Sequence, residues 1–157
     1  MYKLKAGIKN DPLRRWALPD RVFFGHGACH ILAGVFLKSE HATGFFAERI
    51  IPQDGFSGNH IYVTDGSIAF DYHGYSDRLR LLQQHTSGWA DHHPQGWNCV
   101  LERVEFDLLN TTELNCRNML GPNQYDKNPI PRAQSFIQRI DHGKGVESAA
   151  RTSYLFR

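Results

Sequence analysis

Cys29, His60 and Asp71 are the residue types from which a thiol nucleophile, its base and an orienting carboxylate are built. The thiolate is the reactive form of cysteine, and a neighbouring imidazole can hold it as such. A carboxylate beside that imidazole fixes its tautomer and stabilises the imidazolium. Such a trio takes an acyl group from an amide or ester onto sulfur. Two elements must position it: the hairpin that carries His60 and Asp71, and the segment that presents Cys29.

The hairpin is written in residues 58–74, GNHIYVTDGSIAFDYHG, where two runs rich in β-branched and aromatic residues meet at Asp65-Gly66. Asp-Gly suits a two-residue type I′ turn, which needs positive φ at both central positions. Such a turn opposes Thr64 to Ser67, Tyr62 to Ala69 and His60 to Asp71. Alternation then puts His60, Tyr62, Thr64, Ser67, Ala69 and Asp71 on one face, and Ile61, Val63, Ile68, Phe70 and Tyr72 on a core face. His60 and Asp71 would have Cβ atoms roughly 5 Å apart. Asp-Gly also suits a type I turn with a glycine bulge, and a one-residue shift would break this pairing. A solvated polar face on an edge hairpin is the other reading of the same pattern.

Cys29 lies in RVFFGHGACHILAGVFLKSE. Gly25 and Gly27 loosen the backbone, and from Ala28 onward Ile31, Leu32, Val35 and Phe36 follow helical spacing. Cys29 therefore falls at the first turn of a helix, on the face shared by positions 32, 33 and 36. A helix N-terminus favours thiolate over thiol, and its free N–H groups can meet an oxyanion. Gly27 and Ala28, with Trp89 from a later loop, are the candidate oxyanion and substrate-binding positions. The loops around Gly25 and Phe56 are further candidates for substrate contact. The alternative for Cys29 is a buried, inert packing residue. His26 and His30 flank it on other helix faces and are read as surface or packing residues.

The chain has 157 residues and a net charge of +2, enough length for one domain and too little charge to argue for nucleic acid or a membrane surface. Three dispersed cysteines without a CxxC pair suggest neither a disulfide framework nor a zinc ribbon. No apolar segment marks a signal peptide or a membrane span, so a cytoplasmic site of synthesis is expected, with export by another route left open. His92-His93 beside Asp91 lack the spacing of a chelating motif, and no metal or other cofactor is expected. Metal chemistry built from the nine histidines would require several of His26, His30, His60, His73, His92 and His93 to converge.

The remaining elements read as follows. Residues 1–20 form an irregular cover with Leu13, Trp16 and Leu18 over the domain. FFAERIIP is a strand and SDRLRLLQQH a short helix capped by Ser76, followed by a loop through TSGWADHHPQGW. NCVLERVEFDLLN is a strand with Val100, Val104, Phe106 and Leu108 on one face. Residues 110–130 are loop, IPRAQSFIQRI is a helix opened by Pro131, and residues 142–157 are a tail or a final edge strand. The fold class is α+β, with a helix carrying Cys29 packed on a central antiparallel sheet.

A helix that begins at Gly27-Ala28-Cys29, then a strand opening at His60 and a hairpin reaching Asp71, resembles the papain-like cysteine hydrolase superfamily, in its transglutaminase-like branch. The resemblance covers residues 22–75. The aromatic residue that often follows the family's cysteine is replaced by His30. Membership would imply a Cys29–His60–Asp71 triad working through a thioester, on a protein or peptide substrate, as a peptidase, amidase, deamidase or acyltransferase. A non-catalytic binding module of the same fold is the competing expectation, with the His–Asp pair bracing a hairpin and Tyr154 to Phe156 or the aromatic loops making contacts.

Overall fold

The computed structural model describes residues 4–155. Five antiparallel strands form one sheet: β1 (Phe46–Pro52), β2 (His60–Thr64), β3 (Ile68–Asp71), β4 (Gly74–Asp77) and β5 (Cys99–Arg103), in the order β4-β3-β2-β1-β5. Among the described residues seven α-helices accompany it: α1 (Pro12–Trp16), α2 (Asp20–Gly25), α3 (Cys29–Leu37), α4 (Arg78–Ala90), α5 (Thr111–Asn115), α6 (Pro129–Gln138) and α7 (His142–Leu155). The architecture is α+β, with the cysteine-bearing helix α3 packed on the sheet. No helix among the described residues is long and apolar enough to cross a membrane.

Helix α3 is apolar almost all round, so it has to be buried on every side. Residues from His30 to Phe36 are all buried. One side meets Ile61, Val63 and Phe70 of the sheet, and Phe36 stacks on Phe70 at 4.6 Å. Another side meets Leu108 and Leu109, which approach so closely at Gly34 that a Cβ there would lie 3.0 Å from both. The opposite face of the sheet is covered as well: Ile50, Tyr62 and Ala69 lie under Leu81 of α4 and Trp97. β2 is thus a central strand buried on both faces, and the solvated edge hairpin is excluded.

The hairpin register differs from the two-residue turn. Thr64 pairs with Ala69 and Val63 with Phe70, a shift of two residues, and 65–67 connect the strands. Asp65 decides this, because its side chain accepts from the N–H groups of Ser67 and Ile68 at 2.8 and 2.9 Å. Thr64 Oγ1 adds bonds to Ile68 O and from Gly66 N. The side-chain acceptors make a wider loop favourable where Asp-Gly alone suggested a tight one. A shift of two preserves which face each residue occupies.

Other elements depart from expectation for identifiable reasons. Ser76 pairs with Ala69 inside β4, so the cap of α4 is Asp77, whose carboxylate accepts from Arg80 N at 2.9 Å. The helix then runs on to Ala90, because no proline interrupts it before Pro94 and Trp89 packs beneath it. β5 stops at Arg103, near the start of its partner β1, leaving Leu108 free to turn under α3. Residues 111–115 are helical under an Asn110 cap. The C-terminal segment is helix α7, not a tail or strand. Gly145 lets it approach β4, since a Cβ there would lie 2.5 Å from Tyr75. The side chains of Tyr154 and Leu155, and Phe156 entirely, lie outside the described residues. In the N-terminal cover Leu18 is buried, whereas Leu13 is 69% exposed. Arg132 of α6 fastens the cover by donating to Asp20, Trp16 O and Leu18 O.

Candidate functional site

His60, at the open start of β2, and Asp71, at the end of β3, are each 4% exposed. His60 Nε2–H donates to Asp71 Oδ2 at 2.9 Å. The register makes them diagonal neighbours on one face, within reach of an imidazole. Asp71 Oδ1 also accepts from the backbone N–H of His73 at 2.8 Å. Burial alone would raise the Asp71 carboxyl, but the bonds from His60 and His73 hold it well below the usual carboxylate range.

Cys29, the first residue of α3, is partly exposed, and hydrogen bonding to its thiol comes from His30 and His60, with His30 the larger contributor. With Nε2 engaged by Asp71, the ring nitrogen left for sulfur is Nδ1. Burial opposes the thiolate, yet hydrogen bonds from His30 and His60 and the charge of His60 bring Cys29 down to about 5. Burial likewise opposes the imidazolium, and Asp71 and the thiolate push His60 up to about 10. Both shifts act in the direction that favours a thiolate beside an imidazolium. The N–H of Cys29 is among the first four of α3, which have no intrahelical acceptor.

The loop before His60 is pinned from α4 and its following turn. His85 Nε2–H donates to Gly58 O at 2.6 Å, and Trp97 Nε1–H donates to Ser57 O at 2.8 Å. Gly58 has φ +120° and sits so close to both Trp89 and Trp97 that a Cβ would lie 3.1 and 3.0 Å from them. The His85 ring lies 5.5 Å from that of His60, nearly parallel. Burial first, then the charge of His60, push His85 down to about 4, so it stays neutral beside the imidazolium.

The loop before Cys29 is pinned as firmly. Gly27 has φ +104°, and its carbonyl accepts from Arg15 Nη2 and from Tyr125 Oη, each at 2.8 Å. A cleft of about 570 Å³ opens in front of the sulfur, lined in part by Cys29, His60, Gly25, Gly27 and Trp89. The candidates Gly27 and Trp89 therefore stand at the cleft. Ala28 is fully buried and does not line it, and Phe56 packs against His93 at 4.6 Å, also away from it. Among the described residues no cluster of His, Cys, Asp and Glu could hold a metal ion, and His92 and His93 do not join His60.

Sequence reasoning read His30 only as a surface or packing residue and did not single out His85. His30 is buried, with Nε2–H donating to Leu120 O at 2.7 Å, because α3 has no solvent face to offer it. The signal for His85 was its i+4 spacing from Leu81 and to Trp89 on the buried stripe of α4.

The chain matches no protein-family model, no curated protein and no solved structure. The case for its chemistry rests on the site itself.

Proposed function

We propose that this protein is a cysteine-dependent acyl hydrolase or acyltransferase with Cys29 as nucleophile, His60 as acid–base and Asp71 as the orienting carboxylate. The observation that carries the reading is the buried His60–Asp71 bond behind a cleft that Cys29 and His60 both line. The papain-like likeness, in helix-borne cysteine, strand-borne histidine and aspartate, supports it without deciding among peptidase, amidase, deamidase and transferase.

In this reading the thiolate attacks the acyl carbon, forming a C–S bond and an oxyanion that the Cys29 N–H can meet. As the tetrahedral adduct collapses, the C–N bond breaks and the His60 proton passes to the leaving nitrogen. A water or amine then attacks the thioester, returns a proton to His60 and releases the thiolate. Asp71 stays ionised throughout and keeps Nδ1 turned to sulfur. A non-catalytic module expects a sequestered cysteine, and the position of Cys29 at the cleft favours the enzyme.

The test is a burst experiment with p-nitrophenyl acetate followed by intact mass. A burst of p-nitrophenol with one acetyl group on Cys29, absent from Cys29→Ala, is the expected result. No burst and no adduct on the wild-type protein would overturn the reading.

A further inference from the structure

The cleft in front of Cys29 is basic. Lys9, Arg15, Arg49 and Arg117 line it, and among the described residues no Asp or Glu does. The thiolate and the His60 imidazolium cancel one another, so the lining keeps the charge of its four other cations. Arg117 is paired with Glu113 at 2.8 Å, outside the cleft. Among the described residues Arg49 makes one side-chain bond, a long one of 3.4 Å to Asn59, and no ion pair with its cross-strand partner Glu102.

Arg15 is the decisive member. It is 7% exposed, and its Nε is a buried donor with no hydrogen-bond partner among the described residues. Its other nitrogens reach only carbonyl oxygens, of Gly27 at 2.8 Å and of Lys9 at 3.5 Å, and its guanidinium lies 5.2 Å from the Tyr125 ring. No carboxylate among the described residues forms an ion pair with it. A buried guanidinium without a counter-charge is unfavourable, and a planar oxyanion is the ligand it fits best.

We propose that the acyl donor of this site is anionic, carrying a carboxylate or phosphate group close to the scissile bond that the Lys9, Arg15 and Arg49 side of the cleft binds. The proposal rests on the acyl-transfer reading and names its substrate class. Oxyanion binding in a half-enclosed basic cleft also raises the encounter rate, an effect that salt weakens.

The test compares Cys29 alkylation by iodoacetate, which carries a carboxylate, and by iodoacetamide, its neutral isostere. Cys99→Ser and Cys116→Ser form the background, and N-acetylcysteine is the reference thiol. Iodoacetamide alone reports whether Cys29 is a nucleophile. The ratio of the two rates reports the charge of the cleft, whatever the thiol's reactivity. The expected ratio exceeds the reference by about tenfold, falls at high salt, and drops at least threefold in Lys9→Gln/Arg49→Gln. Arg15 is left intact because it also braces Gly27. Protection of Cys29 by N-acetylglutamate or by inorganic phosphate then separates the carboxylate source from the phosphate source, and either supports the proposal. A ratio at or below the reference overturns it, as does an elevated ratio indifferent to Lys9 and Arg49, since the oxyanion would then not lie on the side of the cleft that these residues share with Arg15.

Discussion

His60 reaches Asp71 diagonally across the hairpin rather than straight across it, with 2.9 Å between Nε2 and Oδ2. The contact takes up Nε2 of the imidazole and leaves Nδ1 as the ring nitrogen for a second neighbour. Asp71→Asn keeps the shape and removes the charge that supports the imidazolium. Acyl transfer is expected to fall on the order of 10²-fold or more, with little change in KM. Steady-state kinetics on an activated ester checks this, and a change confined to KM would contradict it.

The ionisation of the pair also sets a pH profile for stability. His60 rises from its ordinary 6.5 to about 10, so its contribution is complete below 6.5 and lost as pH climbs toward 10. Cys29 falls from 9.0 to about 5, so its contribution is complete above 9.0 and lost as pH drops toward 5. From about 5 to 6.5 the unfolded chain binds the extra proton and stability rises with pH. Between 6.5 and 9.0 the two states bind equal numbers and the profile is flat; above that it falls. Urea titrations across this range should show that plateau, and Cys29→Ser should remove the acid-side slope.

Gly27→Ala tests the brace beneath the nucleophile. A Cβ at φ +104° would lie 2.1 Å from Arg15 Nη2, so backbone strain and loss of the Arg15 bond act together. A cost of about 2–4 kcal/mol is expected in chemical denaturation, with slower Cys29 alkylation. A cost below 1 kcal/mol would mean that the loop does not need this conformation.

His85 is a positioning residue. His85→Phe preserves the ring beside His60 but removes the donor to Gly58 O, at a cost of about 1–3 kcal/mol. Because neutral His85 does not hold the proton, the Cys29 titration midpoint should stay within about 0.5 of wild type while kcat falls. Alkylation titrations and kinetics together check both halves.

Much of this was legible in the chain. The apolar run after Cys29 gave α3, and alternation around Asp65-Gly66 gave the His60–Asp71 face, because periods of 3.6 and 2 survive without tertiary context. The register was not, since it depended on Asp65 and Thr64 side chains capturing loop groups rather than on the Asp-Gly pair. Helix α7 was hidden by Gly143 and Gly145, which lower helix propensity and are tolerated here by packing against β4. Arg15 was unreadable as a cleft residue, because only the folded position of α1 brings it to Gly27. Of the two readings left for His30, surface or packing, the structure takes packing, because α3 has no exposed side.

The central claim is that Cys29 rests as a thiolate held by His60. The pH dependence of its alkylation by iodoacetamide, with Cys99 and Cys116 replaced, tests it most directly. The account predicts a midpoint near 5 in the wild type and a large upward displacement in His60→Ala, toward the free-thiol value of about 8.5. A wild-type midpoint already near that of a free thiol, unmoved in His60→Ala, would contradict it.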